Sequence, residues 1–133
     1  MAAALLMLFS LLTGIFVSAA MTGKVNADAH AALASHLNAL LGSLWLIAVT
    51  VTIPWLRYSI VGCRRLIVLT IIANVSNWLV TALKSFWHVS GVDLSGEGRN
   101  DTIFGLLTAL VVLPSLAATV AWVYGLLGPP PAS

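Results

Sequence analysis

Four apolar stretches, at residues 3–21, 31–56, 66–88 and 102–127, dominate this chain, and each is about long enough to cross a hydrocarbon core as a helix. Inside a bilayer no water is available to pair with backbone N–H and C=O groups. A segment of this kind must satisfy them itself, and an α-helix does so. The chain is therefore expected to be all-α, one integral membrane domain over residues 1–133 built as a bundle of four transmembrane helices. Composition agrees: 60% of the residues are hydrophobic and 8% charged, with a mean hydropathy of +1.04, far from the range of soluble domains. A net charge of +2 without any basic run argues against a nucleic-acid surface. The single cysteine, Cys63, rules out an intramolecular disulfide and a cysteine-only metal site, and is read as an incidental thiol in the short polar connection before the third stretch.

The first stretch has two readings. Val17, Ser18, Ala19 and Ala20 offer small residues of the kind a signal peptidase cuts beside, but no Lys or Arg precedes the apolar run, and the run exceeds a signal core. It is read as a retained first span. Four crossings place both termini on one side, together with Arg57, Arg64 and Arg65 and no acid; Asp28, Asp93, Glu97 and Asp101 lie on the other with Lys24 and Arg99. That bias makes the termini cytoplasmic, in what is expected to be a bacterial inner membrane. In the last stretch Pro114 deprives the Leu110 carbonyl of its usual donor and should bend the helix, with Thr108, Ser115 and Thr119 available to satisfy freed groups; Gly128 and Pro129, Pro130 and Pro131 should end it.

The third stretch carries the polar residues that most need explaining. Thr70, Asn74, Asn77, Thr81, Lys84, Ser85 and His88 fall within an arc of roughly 100° on one side of a helix. Two asparagines in mid-span are costly against lipid, so they should face other helices or a ligand, and being three apart they can reach one space. Interhelical hydrogen bonding is the plain reading of both. Trp78 either walls a pocket or faces lipid. On the second stretch His36, Ser43 and Thr50 form a line at steps of seven, expected to face the bundle interior, with His36 level with Thr81 to Ser85 of the third. Three roles are open to such a histidine: hydrogen-bonded packing, a cofactor ligand, or a proton relay. No second histidine lies three or four residues away to share a bare metal; His30 falls on a different face, and His88 beside Trp87 reads as an interfacial anchor. No nucleophile elbow, phosphate loop, zinc-protease helix or carboxylate pair is present, so an enzyme of this kind would draw its reactive centre from a cofactor.

With these pieces in view, the chain resembles the hydroxylaminobenzene mutases, small membrane enzymes that convert an aryl hydroxylamine to a 2-aminophenol. The resemblance rests on Ser35-His36-Leu37, on Ser76-Asn77-Trp78 and on Trp122-Val123-Tyr124-Gly125-Leu126. It covers most of residues 26–127. More distantly, the chain is similar to the styrene oxide isomerases, four-helix membrane proteins that assemble as trimers, bind haem b through a histidine opening the second helix and use ferric iron as a Lewis acid to open an epoxide. The resemblance makes the mutase reaction, with haem b, the expected function; the alternatives are a haem-dependent epoxide isomerase and a non-catalytic membrane subunit whose polar stripes only mediate helix association. The likeness to the isomerases implies His36 as the iron ligand, with Ser43 beside the cofactor. It also implies Asn77, or Asn74, as the group that hydrogen-bonds the oxygen of a small apolar aromatic substrate, and Trp78 as a pocket wall. The chain departs from both families at Gly42, where they have an asparagine, and from the mutases at Asn38, where those have an acid.

Overall fold

The structure is a computed structural model that describes residues 1–128. Its elements are α1 (Ala2–Met21), α2 (Ala29–Thr52), a 3₁₀ turn (Ile53–Trp55), α3 (Ile60–Trp87), α4 (Gly98–Leu107), a π turn (Thr108–Val112) and α5 (Leu113–Leu126). The last three run on as one crossing, so four helical segments are long and apolar enough to span a membrane, and no strand is present among the described residues. The all-α four-helix expectation holds.

Polar caps decide where the helices begin. Asp28 accepts a hydrogen bond from the Ala31 N–H at 2.7 Å and opens α2. Ser59 caps α3, which begins at Ile60, six residues before the expected 66. Cys63 is accordingly not in a polar connection: it is buried in the first turns of α3, its Sγ 3.8 Å from the Tyr58 carbonyl. Long Arg64 and Arg65 side chains can leave the helix for the interface, and this is why their charge does not mark its end. Glu97 caps α4 at Gly98, four residues before the expected 102, and the Asp101 carboxylate accepts from the Ser95 and Gly96 N–H groups at 2.8 and 3.1 Å. His88 ends α3 in the left-handed region, at φ 52°. Of the proposed stop, Gly128 follows Leu127, the C-cap of α5, while Pro129, Pro130 and Pro131 lie outside the described residues.

Lipid gives apolar helices no reason of its own to associate, so small residues and hydrogen bonds must draw them together. Six of the eight buried positions on α2 are small, Ala31, Ala32, Ser35, Ala39, Gly42 and Ser43, and they let both neighbours approach closely. α1 packs along one side of α2 and α3 along the other, while the opposite flank of α3 meets the fourth crossing. Buried apolar layers follow the bundle axis: Val17, Ala20 and Ala32 at one end, Leu6, Ala39 and Leu46 in the middle, and Val49, Leu56, Leu66 and Ala118 at the end bearing the termini.

The residues before Pro114 leave regular α geometry. The turn before it widens to a π turn in which the Leu113 N–H reaches the Thr108 carbonyl, and Pro114 falls in the first turn of α5, where a missing N–H costs least. Of the three hydroxyls expected to help, only Thr119 bonds a helix carbonyl, that of Ser115 at 2.8 Å.

Candidate functional site

His36 turns toward α1. Its Nδ1 lies 2.8 Å from the Ser10 carbonyl oxygen, and since a carbonyl can only accept, this nitrogen carries the proton. Ser10 Oγ returns a hydrogen bond to the His36 carbonyl at 3.0 Å, closing a reciprocal pair between α1 and α2. Gly14, one turn along α1, lies against the ring: a Cβ there would be in ordinary contact, 3.5 Å from His36 Cε1 and 3.6 Å from Nδ1, so only a longer side chain would crowd the imidazole. The other ring nitrogen, Nε2, has no protein partner among the described residues. A ring held through Nδ1–H by a backbone carbonyl, with an unshared pair on Nε2, is the arrangement that orients a metal-ligating histidine. Among the described residues no three His, Cys, Asp or Glu side chains cluster. One imidazole with a free ring nitrogen can supply a single ligand to a metal held by other groups.

The other expected site residues do not join His36. Asn38, two residues on and so about 160° around α2, donates from Nδ2 to Asn77 Oδ1 at 3.0 Å and to Thr81 Oγ1 at 3.1 Å. Thr81 also donates to Asn77 Oδ1, at 3.3 Å. Asn77 thus belongs to a carboxamide and hydroxyl cluster between α2 and α3, with the α2 backbone between it and His36. Its Nδ2 donors remain free among the described residues, and the residue is half-buried.

Asn74 does not share that space. Its Nδ2 donates back to the Thr70 carbonyl at 2.8 Å, and its side chain fills the gap opposite Gly42, where an added Cβ would lie 2.9 Å from both Asn74 Cβ and Cγ. Trp78 reaches a third seam, between α1 and α3: Nε1 donates to Thr13 Oγ1 at 3.0 Å and the ring stacks on Phe9 at 5.1 Å. Ser43 is fully buried, donates to the Leu40 carbonyl at 2.6 Å and lies 3.7 Å from Met7 Sδ, so it faces α1 and not an open cavity. Thr50, expected on the same interior line, is exposed and bonds the Leu46 carbonyl of its own helix.

Sequence reasoning placed one site where the structure has three seams, and it passed over α1 entirely. Ser10 and Thr13 are the residues it missed, and their signal was available: two buried hydroxyls and Gly14 spaced three and four apart in an otherwise apolar helix. Three grooves of about 380 to 570 Å³ lie toward the end bearing the termini, and none is lined by His36, Asn77 or Trp78. Compared with known proteins, residues 1–127 match a family model described as styrene oxide isomerase. No curated protein and no solved structure matches the chain.

Proposed function

We propose, starting from the fact that this chain belongs to the styrene oxide isomerase family, that it isomerises a small aryl epoxide to the corresponding carbonyl compound within the membrane. Membership makes it an isomerase-type membrane protein; the substrate and the cofactor are our reading. The observation that carries it is the His36 ring, fixed through Nδ1–H on the Ser10 carbonyl with Nε2 left free. His36 would hold haem b. When bound, the ferric iron supplies Lewis acidity at the substrate oxygen.

The chain's own residues set the surroundings of that chemistry. Ser10 and Gly14 hold the imidazole at one orientation, so the ligand field does not depend on a mobile ring. Ser43, which also faces α1 in this seam, spends its hydroxyl on the Leu40 carbonyl. Dryness matters because the carbon of an opening epoxide gains positive charge, and water there would divert it to a diol. All four acidic side chains lie at one end of the bundle, so no carboxylate reaches mid-membrane. An epoxide opening completed by a hydride shift between neighbouring carbons releases no proton, and a core without a general base suits it. None of the three grooves meets His36, so on this reading the space beside the imidazole would be completed by a second copy of the chain, as in a homotrimer. Asn77 would then reach substrate held at His36 only from a neighbouring copy.

The second reading is an aryl hydroxylamine mutase, favoured by the Asn77-Trp78 pair in mid-membrane and by the free Nδ2 of Asn77, a donor for an oxygen in transit. It requires the ring to lose a proton and the nitrogen to gain one, and it differs from the lead reading in the substrate turned over. Purified protein is offered styrene oxide and hydroxylaminobenzene separately, and products are identified. A carbonyl product from the first supports the lead reading, and a 2-aminophenol from the second the alternative. The same preparation should show a Soret band that His36→Ala abolishes; a band unchanged in that variant refutes the ligand assignment.

A further inference from the structure

The end bearing the termini holds arginines that no acidic side chain among the described residues neutralises. Arg57 is engaged, its Nη2 donating to Tyr124 Oη at 2.8 Å and its guanidinium lying 4.1 Å over the Tyr124 ring. Arg64 and Arg65, in the first turns of α3, are exposed and have no such partner among the described residues. All four acidic side chains, Asp28, Asp93, Glu97 and Asp101, lie at the opposite end. Copies standing side by side in a membrane bring like ends together, so a second copy offers these arginines no acidic side chain.

Apolar grooves flank the same arginines. Arg64 borders a groove of about 480 Å³ lined by Ile53, Pro54, Ile60, Cys63 and Ile67, and also one of about 380 Å³ lined by Val61, Leu69 and Ile72, with Arg65 on its rim. Val68 belongs to both. Val61, Val68 and Ile72 are 58%, 47% and 44% exposed, so this face of α3 has no protein cover. Ile72 lies two turns beyond Arg64, about 12 Å along the helix axis, so the apolar surface runs from the cations toward mid-membrane.

We propose that this face binds one anionic phospholipid, with Arg64 and Arg65 on the phosphate and the two grooves on its two acyl chains. A guanidinium fork matches phosphate oxygens, and partner-free arginines at a membrane surface attract anionic lipid. Two grooves meeting at one cation match a headgroup carrying two chains, which a free phosphate lacks.

The test uses detergent-purified full chain, with bound molecules counted by native mass spectrometry during titration with phosphatidylglycerol, phosphatidylcholine or glycerol 3-phosphate. One phosphatidylglycerol per chain should be retained, phosphatidylcholine should bind more weakly, and glycerol 3-phosphate should not bind. R64Q/R65Q should bind phosphatidylglycerol about thirtyfold more weakly, the change expected from removing two basic groups at a membrane surface. Its circular dichroism in lipid-free detergent should match wild type, since both side chains are exposed. V68W, which obstructs both grooves and leaves the arginines, should also weaken binding. Equal retention of phosphatidylglycerol by R64Q/R65Q overturns the site, and so does equal retention of phosphatidylcholine by wild type. Tight binding of glycerol 3-phosphate would make it a free-phosphate site, and a lipid-independent dimer lost in R64Q/R65Q would make the face a contact between copies; either overturns the proposal.

Discussion

Replacing Gly42 by asparagine, with Asn74 left in place, perturbs the closest approach between α2 and α3. A Cβ at position 42 would lie 2.9 Å from Asn74 Cβ and Cγ and 2.5 Å from its Oδ1. Asn74 Cβ is attached directly to the α3 backbone and cannot swing away, so the helices must part or Asn74 must leave its place. Overpacking of this kind costs about 1–3 kcal/mol. Losing the Asn74 hydrogen bond to the Thr70 carbonyl adds about 0.6 kcal/mol, typical of such bonds in membrane helices. The single variant should therefore lose about 2–3.5 kcal/mol. In the reciprocal variant, Gly42→Asn with Asn74→Gly, a carboxamide enters the same gap from α2, and because the mid-helix glycine only moves from α2 to α3 the helix-propensity terms nearly cancel. The double variant should be more stable than the Gly42→Asn single, although Asn74→Gly alone is itself destabilising. Reversible unfolding in mixed detergent and SDS micelles, followed by circular dichroism, gives all four corners of the cycle. The close-packing account is refuted if Gly42→Asn costs less than about 0.5 kcal/mol, well below any overpacking penalty. It is refuted equally if the double variant loses the sum of the two singles.

Other consequences of the geometry can be measured in the same preparations. Ser10→Ala removes the hydroxyl bond to the His36 carbonyl and a longer 3.4 Å contact to Nδ1 but keeps the backbone acceptor of Nδ1, so it should cost about 0.6 kcal/mol and leave the visible spectrum of haem-reconstituted protein unchanged. Gly14→Leu, by contrast, crowds the ring, and should shift or bleach the same spectrum. Asn38→Ala and Asn77→Ala remove parts of one cluster, so their costs, about 1 kcal/mol each, should fall short of additivity in the double variant. Gly91→Ala forces an L side chain to φ 62° and drives a Cβ into Ile103, and should lower the thermal midpoint of detergent-solubilised protein, with a cost of about 2 kcal/mol or more.

The number of crossings, their helical character and the segregation of acids to one end were legible in the residues, because hydropathy over a span and backbone satisfaction in lipid are local properties. So was the polar face of α3: Thr70, Asn74, Thr81 and Ser85 are buried as their arc implied. The ends were less legible. Arg64 and Arg65 read as a connection, yet long side chains let a helix carry charge within its first turns. What the tertiary structure alone decided is which neighbour each polar edge meets. Periodicity tells which residues share a face of α2, but α2 is packed on both sides, and its rotation sends His36 to α1 and Asn38 to α3. His36 is held by the Ser10 backbone carbonyl, a partner with no side-chain signature. Gly42 and Asn74 are likewise complementary across two helices, and such complementarity exists only once the helices have met.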